Sequence, residues 1–297
     1  MIFHFIKTNK YLSALFLFVI VSTITLFYIQ LNHNNNNKLI SKLENSLIFT
    51  KNLLEEEKKY ALSLAILLSE DKEIFNSYLN QNREETFNLV NRKIETLKEL
   101  QNSHVEVQIH NKDLTTYLRS WNLDIKDIPL SSFRKGVVKV KNTQAPIVSI
   151  ELGKRLNIKA ISPFIKNGKY LGSIEIIIGF EKLTKKLKQN SLDIFVLLKN
   201  KYLKTATKAQ GKPKIDTHTL INNISTKKLE SINLHNLKDY GYFTHNNSAF
   251  AYFSIYSLKR KKLGYILVSL KDNLKLDIKN TTYEKQINSL NNGVIIE

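Results

Sequence analysis

Thr116–Gly136 reads TYLRSWNLDIKDIPLSSFRKG. It holds Trp121, the only tryptophan of 297 residues, and two of six arginines, Arg119 and Arg134, in a chain with 39 lysines. Tyr117, Arg119 and Trp121 are spaced i, i+2 and i+4, so a strand over Leu114–Trp121 turns all three to one face. Arginine offers a planar fork of donors that grips a carboxylate in bidentate fashion, where lysine offers a point charge. Tyrosine and tryptophan supply flat walls. Such a face suits a small organic anion, with Arg119 and Arg134 on its charge and Trp121 and Tyr117 around its apolar part. The same residues also fit a structural role, in which Arg119 pairs with Glu151 or Glu175 inside a sheet, Trp121 fills core and Arg134 ties down the loop.

Outward from this stretch the chain reads as strands. VEVQIHN (Val105–Asn111) alternates ahead of it. KGVVKVKN (Lys135–Asn142), APIVSIELG (Ala145–Gly153), NIKAISPFI (Asn157–Ile165) and YLGSIEIIIGF (Tyr170–Phe180) follow, divided by short polar turns. EKLTKKLKQ is helical and closes this unit. Strands resume at LDIFVLLKN (Leu192–Asn200), with KYLKTATK as its pairing partner and a helical region over 217–231. YGYFTH, SAFAYFSIYSL and LGYILVSLKD complete a second sheet, joined by the hairpin turns NNS and KRKK.

The N-terminal third differs. Tyr11–Leu31 is uncharged and mostly apolar over 21 residues, the length that spans a hydrocarbon core. Lys7 and Lys10 precede it and no charge follows until Lys38, which favours a cytoplasmic N-terminus. An uncleaved signal-anchor is expected; a cleaved signal peptide is the rival, but IQLNHNNNN offers no small-x-small cleavage site. After the polar spacer, Leu43, Leu47, Leu54, Leu62, Ala65 and Ile66 recur at helical spacing in a stretch without proline or glycine. It reads as a long helix broken near Ser69–Asp71, then a second helix over Glu84–Leu100. The expected division is a cytoplasmic 1–10, a membrane helix over 11–31, a helical stalk over 32–104, sheet-bearing units over 105–190 and 191–272, and a tail over 273–297. Helices followed by two antiparallel sheets define an α+β fold.

Composition narrows the function. With no cysteine, disulfides, thiolate metal sites and cysteine nucleophiles are excluded. The formal charge of +19 fits either an anionic partner or lysine-rich drift; the lysines are dispersed and no nucleic-acid motif is present. The seven histidines show no metal-ligand spacing and read as surface or turn residues. No nucleophile elbow, paired-acid or phosphate-loop signature occurs, so neither an enzyme nor a cofactor is expected.

Over Val105–Phe180 the sequence resembles the double Cache sensory domains of bacterial chemoreceptors, sensor histidine kinases and diguanylate cyclases. The residues that carry the resemblance are YLRSW (Tyr117–Trp121), PLSSFRKGVV (Pro129–Val138), SIELG (Ser149–Gly153), AISPF (Ala160–Phe164) and GKYLGSIEI (Gly168–Ile176). The pattern departs where Pro129 replaces an aspartate, where Lys159 stands for an arginine, and where the turn after Gly153 shortens to KRLN. The resemblance implies two PAS-like sheets, a membrane-distal and a membrane-proximal subdomain, and a periplasmic sensor at the bacterial inner membrane for chemotaxis or two-component signalling. The candidate ligand contacts read from the residues themselves are Arg119, Trp121, Arg134, Tyr117, Glu151, Lys159 and Glu175, with Glu151 either orienting an arginine or receiving a ligand ammonium. A homodimer through the long helix and a membrane signalling partner are expected. The second membrane helix and output domain usual in the family are not seen in this sequence, which reads as a stand-alone sensor or a truncated receptor. The competing function is an envelope interaction protein that presents the same fold without a small ligand.

Overall fold

The computed structural model describes residues 10–101, 104–235 and 237–270. The expected tail over 273–297, and all but the last residue of the expected cytoplasmic segment, lie outside these. Two compact units emerge, one up to Asn45 and one from Ser46 onward.

Helix α1 (Lys10–Glu70) runs 61 residues without interruption. Its length follows from the sequence, because the first proline is Pro129 and the first glycine is Gly136. Within the first unit, Tyr11–Leu31 is long and apolar enough to cross a membrane, with a mean hydropathy of 2.4 and no part of it buried. The helix ends where Asp71 caps α2 (Lys72–Leu79), its carboxylate accepting from Ile74 N at 3.0 Å. Helix α3 (Arg83–Gln101) follows. In the second unit Ala61, Leu64, Ala65 and Leu68 form the buried stripe of α1 at helical spacing.

That stripe packs on the first sheet. Its strands are β1 (Val105–Asn111), β2 (Thr116–Arg119), β3 (Ile147–Leu152), β4 (Leu156–Lys166) and β5 (Lys169–Ile178). All are antiparallel, in the order β2-β1-β5-β4-β3. The β4–β5 hairpin turns on Asn167 and Gly168, both at positive φ, as a tight primed turn requires. Alternation divides each strand between two environments. Val107, Ile109, Ile174, Ile176, Ile158 and Ala160 face the helices and form the core with α1, α2 and α3. Glu106, Gln108, His110, Ser173, Glu175 and Lys159 share the opposite face, as the register shows.

Lys135–Asn142 is not a strand. Helix α4 (Lys135–Thr143) occupies this stretch, with Gly136, Val137 and Val140 buried. The valine–lysine alternation satisfies either period; spacing i, i+1, i+4 wins because this segment must cover a sheet face. Val137 and Val140 pack on Ile147, Ile161 and Tyr170. A Cβ at Gly136 would collide with Glu151 Oε1 and lie 2.9 Å from Ile161 Cδ1. Gly136→Ala is therefore expected to destabilise the protein by about 1–3 kcal/mol, although alanine is the better helix former. Denaturant unfolding measures this, and a stabilised variant would refute the close approach.

Helix α5 (Glu181–Gln189) leads to the second sheet, which comprises β6 (Leu192–Lys199), β7 (Lys214–Ile215), β8 (His218–Leu220), β9 (Tyr240–His245), β10 (Ser248–Tyr256) and β11 (Lys262–Leu270). Its order is β7-β8-β6-β11-β10-β9. KYLKTATK does not pair with β6 but forms 3-10 turns, and the expected helix over 217–231 is replaced by β8 and a single 3-10 turn. Asn246 and Asn247, both at positive φ, make the β9–β10 turn. Phe195, Phe250, Tyr252 and Tyr265 fill this sheet's own core.

Candidate functional site

The face of the first sheet turned away from α1, α2 and α3 is polar and lies beneath α4 and the segment leading into it. That segment is stitched to β2: Thr116 N donates to Ile128 O at 3.0 Å and Leu130 N to Leu114 O at 3.0 Å. It ends at Arg134, the residue that caps α4. Placing a guanidinium at the positive pole of a helix, and 4% exposed, is unfavourable unless anions face it. Two do. Arg134 Nη2 donates to Glu175 Oε1, and Arg134 Nε lies 3.6 Å from Glu151 Oε2.

Glu175 is fully buried on the central strand β5. Burial alone would push its carboxyl up; Arg134, His110 and Lys159 outweigh that and hold it well below the usual carboxylate range. His110 Nε2 stands 3.3 Å from Glu175 Oε2 in an approach that misses hydrogen-bond geometry. His110 Nδ1 meets Ser173 Oγ at 2.9 Å, and Tyr170 donates to the same oxygen at 3.2 Å. Burial keeps the imidazole pKa below its ordinary value, with Arg134 and Arg119 adding to the effect against Glu175. Lys159, on β4, is 4% exposed. Its ammonium is pushed down to about 8, by burial first and by Arg134 second, with Glu175 and Glu151 opposing.

Arg119 sits at the edge of this face. Gln108 and Arg119 are cross-strand partners, and Gln108 in turn pairs with Glu175. Among the described residues, the guanidinium makes one hydrogen bond, Nε to Gln108 Oε1 at 3.1 Å. Its Cζ lies 5.6 Å from the centre of the Trp121 ring. Trp121 follows β2 rather than belonging to it, and is 41% exposed instead of filling core.

Tyr117 does not share the face of Arg119. The β1–β2 register shifts between Ile109 and His110, so Tyr117 is an extra residue in a bulge. Its ring packs edge-on against Tyr78 at 4.8 Å in the helix-side core. The structure thus gathers Arg134, Glu151, Lys159 and Glu175 into one cluster, places Arg119 and Trp121 at its edge, and sends Tyr117 elsewhere.

Sequence reading missed His110, which is buried in the cluster, and Gln108, which joins Arg119 to it. The signal was present in VEVQIHN, whose alternation puts Glu106, Gln108 and His110 on one strand face. His218, also read as a turn residue, is buried in the second sheet against Tyr265. Among the described residues no group of acidic, histidine or cysteine side chains has the arrangement of a metal site.

A family profile described as the double sensory domain of two-component sensor kinases matches residues 37–271. The chain belongs to this double Cache family. Among solved structures it is similar to the extracellular domain of vpHK1S-Z8, a protein described as a histidine kinase, at 15% identity and a TM-score of 0.50, covering 80% of this chain and 96% of that one. It is also similar to the sensor domain of the V. cholerae histidine kinase DctB, at 14% identity and 0.47, covering 79% and 97%. The ligand-binding domain of the Campylobacter jejuni chemoreceptor Tlp3, solved with L-valine, matches at 14% identity and 0.49, covering 80% and 94%. These likenesses are of fold. No curated protein matches the chain.

Proposed function

We propose that this protein is a membrane-anchored extracytoplasmic sensor that binds a small organic anion or amino acid on the polar face of its first sheet. The observation that carries this reading is a charge imbalance under α4. On this face Arg155 takes Glu106, which leaves three cations, Arg119, Arg134 and Lys159, to two carboxylates, Glu151 and Glu175. Burial within such a set costs free energy for each unmatched charge, and Lys159, whose pKa is lowered by burial first and by Arg134 second, lies among them. A ligand carboxylate restores the balance. Arg119 is its first contact, since the guanidinium spends only Nε on the protein, and Trp121 is its wall. An amino acid's ammonium is met by Glu151 or Glu175. The apolar segment Tyr11–Leu31 anchors the chain in the inner membrane, and α1 pairs with a second copy in a parallel dimer that passes the signal to a membrane partner. Ligand binding shifts that assembly only in so far as two arrangements differ in affinity for it.

Trp121 makes the test direct, because it is the only indole in the chain. Residues 38–279 are screened by thermal shift against amino acids, organic acids, amines and nucleobases, and hits are titrated by tryptophan fluorescence. A ligand at about 100 times its Kd adds about 2.7 kcal/mol to stability. Arg119→Ala is expected to weaken the hit by about 10–100-fold and to change unfolding free energy by no more than about 1 kcal/mol. Unchanged affinity would remove Arg119 from the site, and a folded domain without any hit would favour the interaction-protein reading.

A further inference from the structure

A cavity of about 300 Å³ lies where the first sheet meets the second subdomain. Its floor is apolar: Leu156 and Ile177 come from β4 and β5, Phe180 from the start of α5, and Ile221 from the end of β8, all buried. Its rim is basic. Arg155 belongs to the shortened KRLN turn between β3 and β4, and Lys208 and Lys212 belong to the segment between β6 and β7. The backbone joins these two segments directly, with Lys208 N donating to Lys154 O at 3.0 Å.

The charges on this rim are unequally committed. Arg155 is held by Glu106, and Lys212 Nζ donates to Ile221 O. Among the described residues Lys208 makes no side-chain hydrogen bond or ion pair, and it is exposed at the mouth. Asn222 is a fixed wall, with Oδ1 taken by Val196 N at 2.8 Å and Nδ2 by Ile194 O at 2.8 Å and Thr184 Oγ1 at 3.2 Å. A concave apolar floor with few placed polar groups is the usual form of a small-molecule site.

We propose that this junction is a second ligand site, separate from the face under α4, which takes a small carboxylate carrying an apolar body. The apolar body lies on Leu156, Ile177, Phe180 and Ile221, and the carboxylate meets Lys208 with Lys212 beside it. The walls come from both subdomains, so the ligand binds best when the two keep the arrangement that forms the cavity. Occupancy therefore stiffens the junction and is coupled to any change of that arrangement.

The test uses the full chain in lipid nanodiscs, with benzoate and hexanoate as probes and benzamide and inorganic phosphate as controls, read by calorimetric titration. Saturable binding of a carboxylate probe is expected, with neither the neutral amide nor the body-less anion binding. Lys208→Glu is expected to weaken it at least tenfold, and since Lys208 is exposed the variant should unfold at the wild-type midpoint. Arg119→Ala is expected to leave it unchanged. Failure of both carboxylates to bind, wild-type affinity in Lys208→Glu, or loss of binding in Arg119→Ala would each overturn the proposal. The last of these would place the probe under α4 and leave the sensor reading itself standing.

Discussion

Glu175→Gln is expected to lower the unfolding free energy by about 3–5 kcal/mol, the typical result of removing one partner from a buried ion pair. The glutamine fills the same volume, so the loss measures charge rather than packing. It strands the Arg134 guanidinium, 4% exposed at the positive pole of α4, with Glu151 at 3.6 Å as its remaining counter-charge. A double variant supplies the control. Arg134→Met with Glu175→Leu removes both charges, leaves Lys159 facing Glu151, and is expected to be more stable than either single variant. Equal or additive losses would mean that the pair is not coupled. The acid limb carries the same information. Glu175 has its folded pKa depressed below its unfolded value of about 4.3, so its contribution is fully present above that pH. It is lost as pH falls toward the folded pKa. Urea midpoints between pH 5 and pH 3 should therefore fall more steeply for the wild type than for Glu175→Gln.

How much of this was legible depended on whether period and environment agreed. The helix from Lys38 onward was readable because the stretch contains neither proline nor glycine, and because the break at Asp71 is a capping residue, whereas its continuation from the membrane segment through the polar spacer was not. The strands of the first sheet were readable because each alternates between an isoleucine–valine face and a polar face. Lys135–Asn142 was misread as a strand because its valines and lysines fit both periods over so short a stretch, and only the sheet beneath it decides. The site divided along the same line. Arg134, Glu151, Lys159 and Glu175 lie together because they sit on regular elements or at the cap of one. Tyr117 was misplaced by one bulge, since a single extra residue reverses the face of everything before it and leaves no mark in the sequence. His110 was passed over because histidines were weighed as possible metal ligands, when the strand's alternation already placed His110 beside Gln108.

Lys159→Met should separate stability from sensing. The ammonium is buried, and its depressed pKa means that folding penalises the charged form relative to water. Replacing it with an unbranched apolar side chain of similar length is therefore expected to stabilise the ligand-free protein, by roughly 1–3 kcal/mol at pH 7. The sign is fixed by linkage. The unfolded lysine titrates near 10.4 and the folded one at about 8, so between these values the unfolded state binds more protons and wild-type stability rises with pH. Lys159→Met should be flat across that window, and a wild type that is equally flat would contradict the burial of the charge. An anion bound under α4 offsets that penalty, because its charge raises the pKa of the ammonium beside it. Binding near pH 8.5 must then take up a fraction of a proton. Titration calorimetry in two buffers of different ionisation enthalpy detects that uptake, and affinity should fall as pH climbs past the ligand-free pKa. Lys159→Met should lose both the uptake and the affinity while gaining stability. A residue that weakens the empty protein and strengthens the occupied one is kept for the ligand; if the variant gains stability and binds as before, the anion does not reach Lys159.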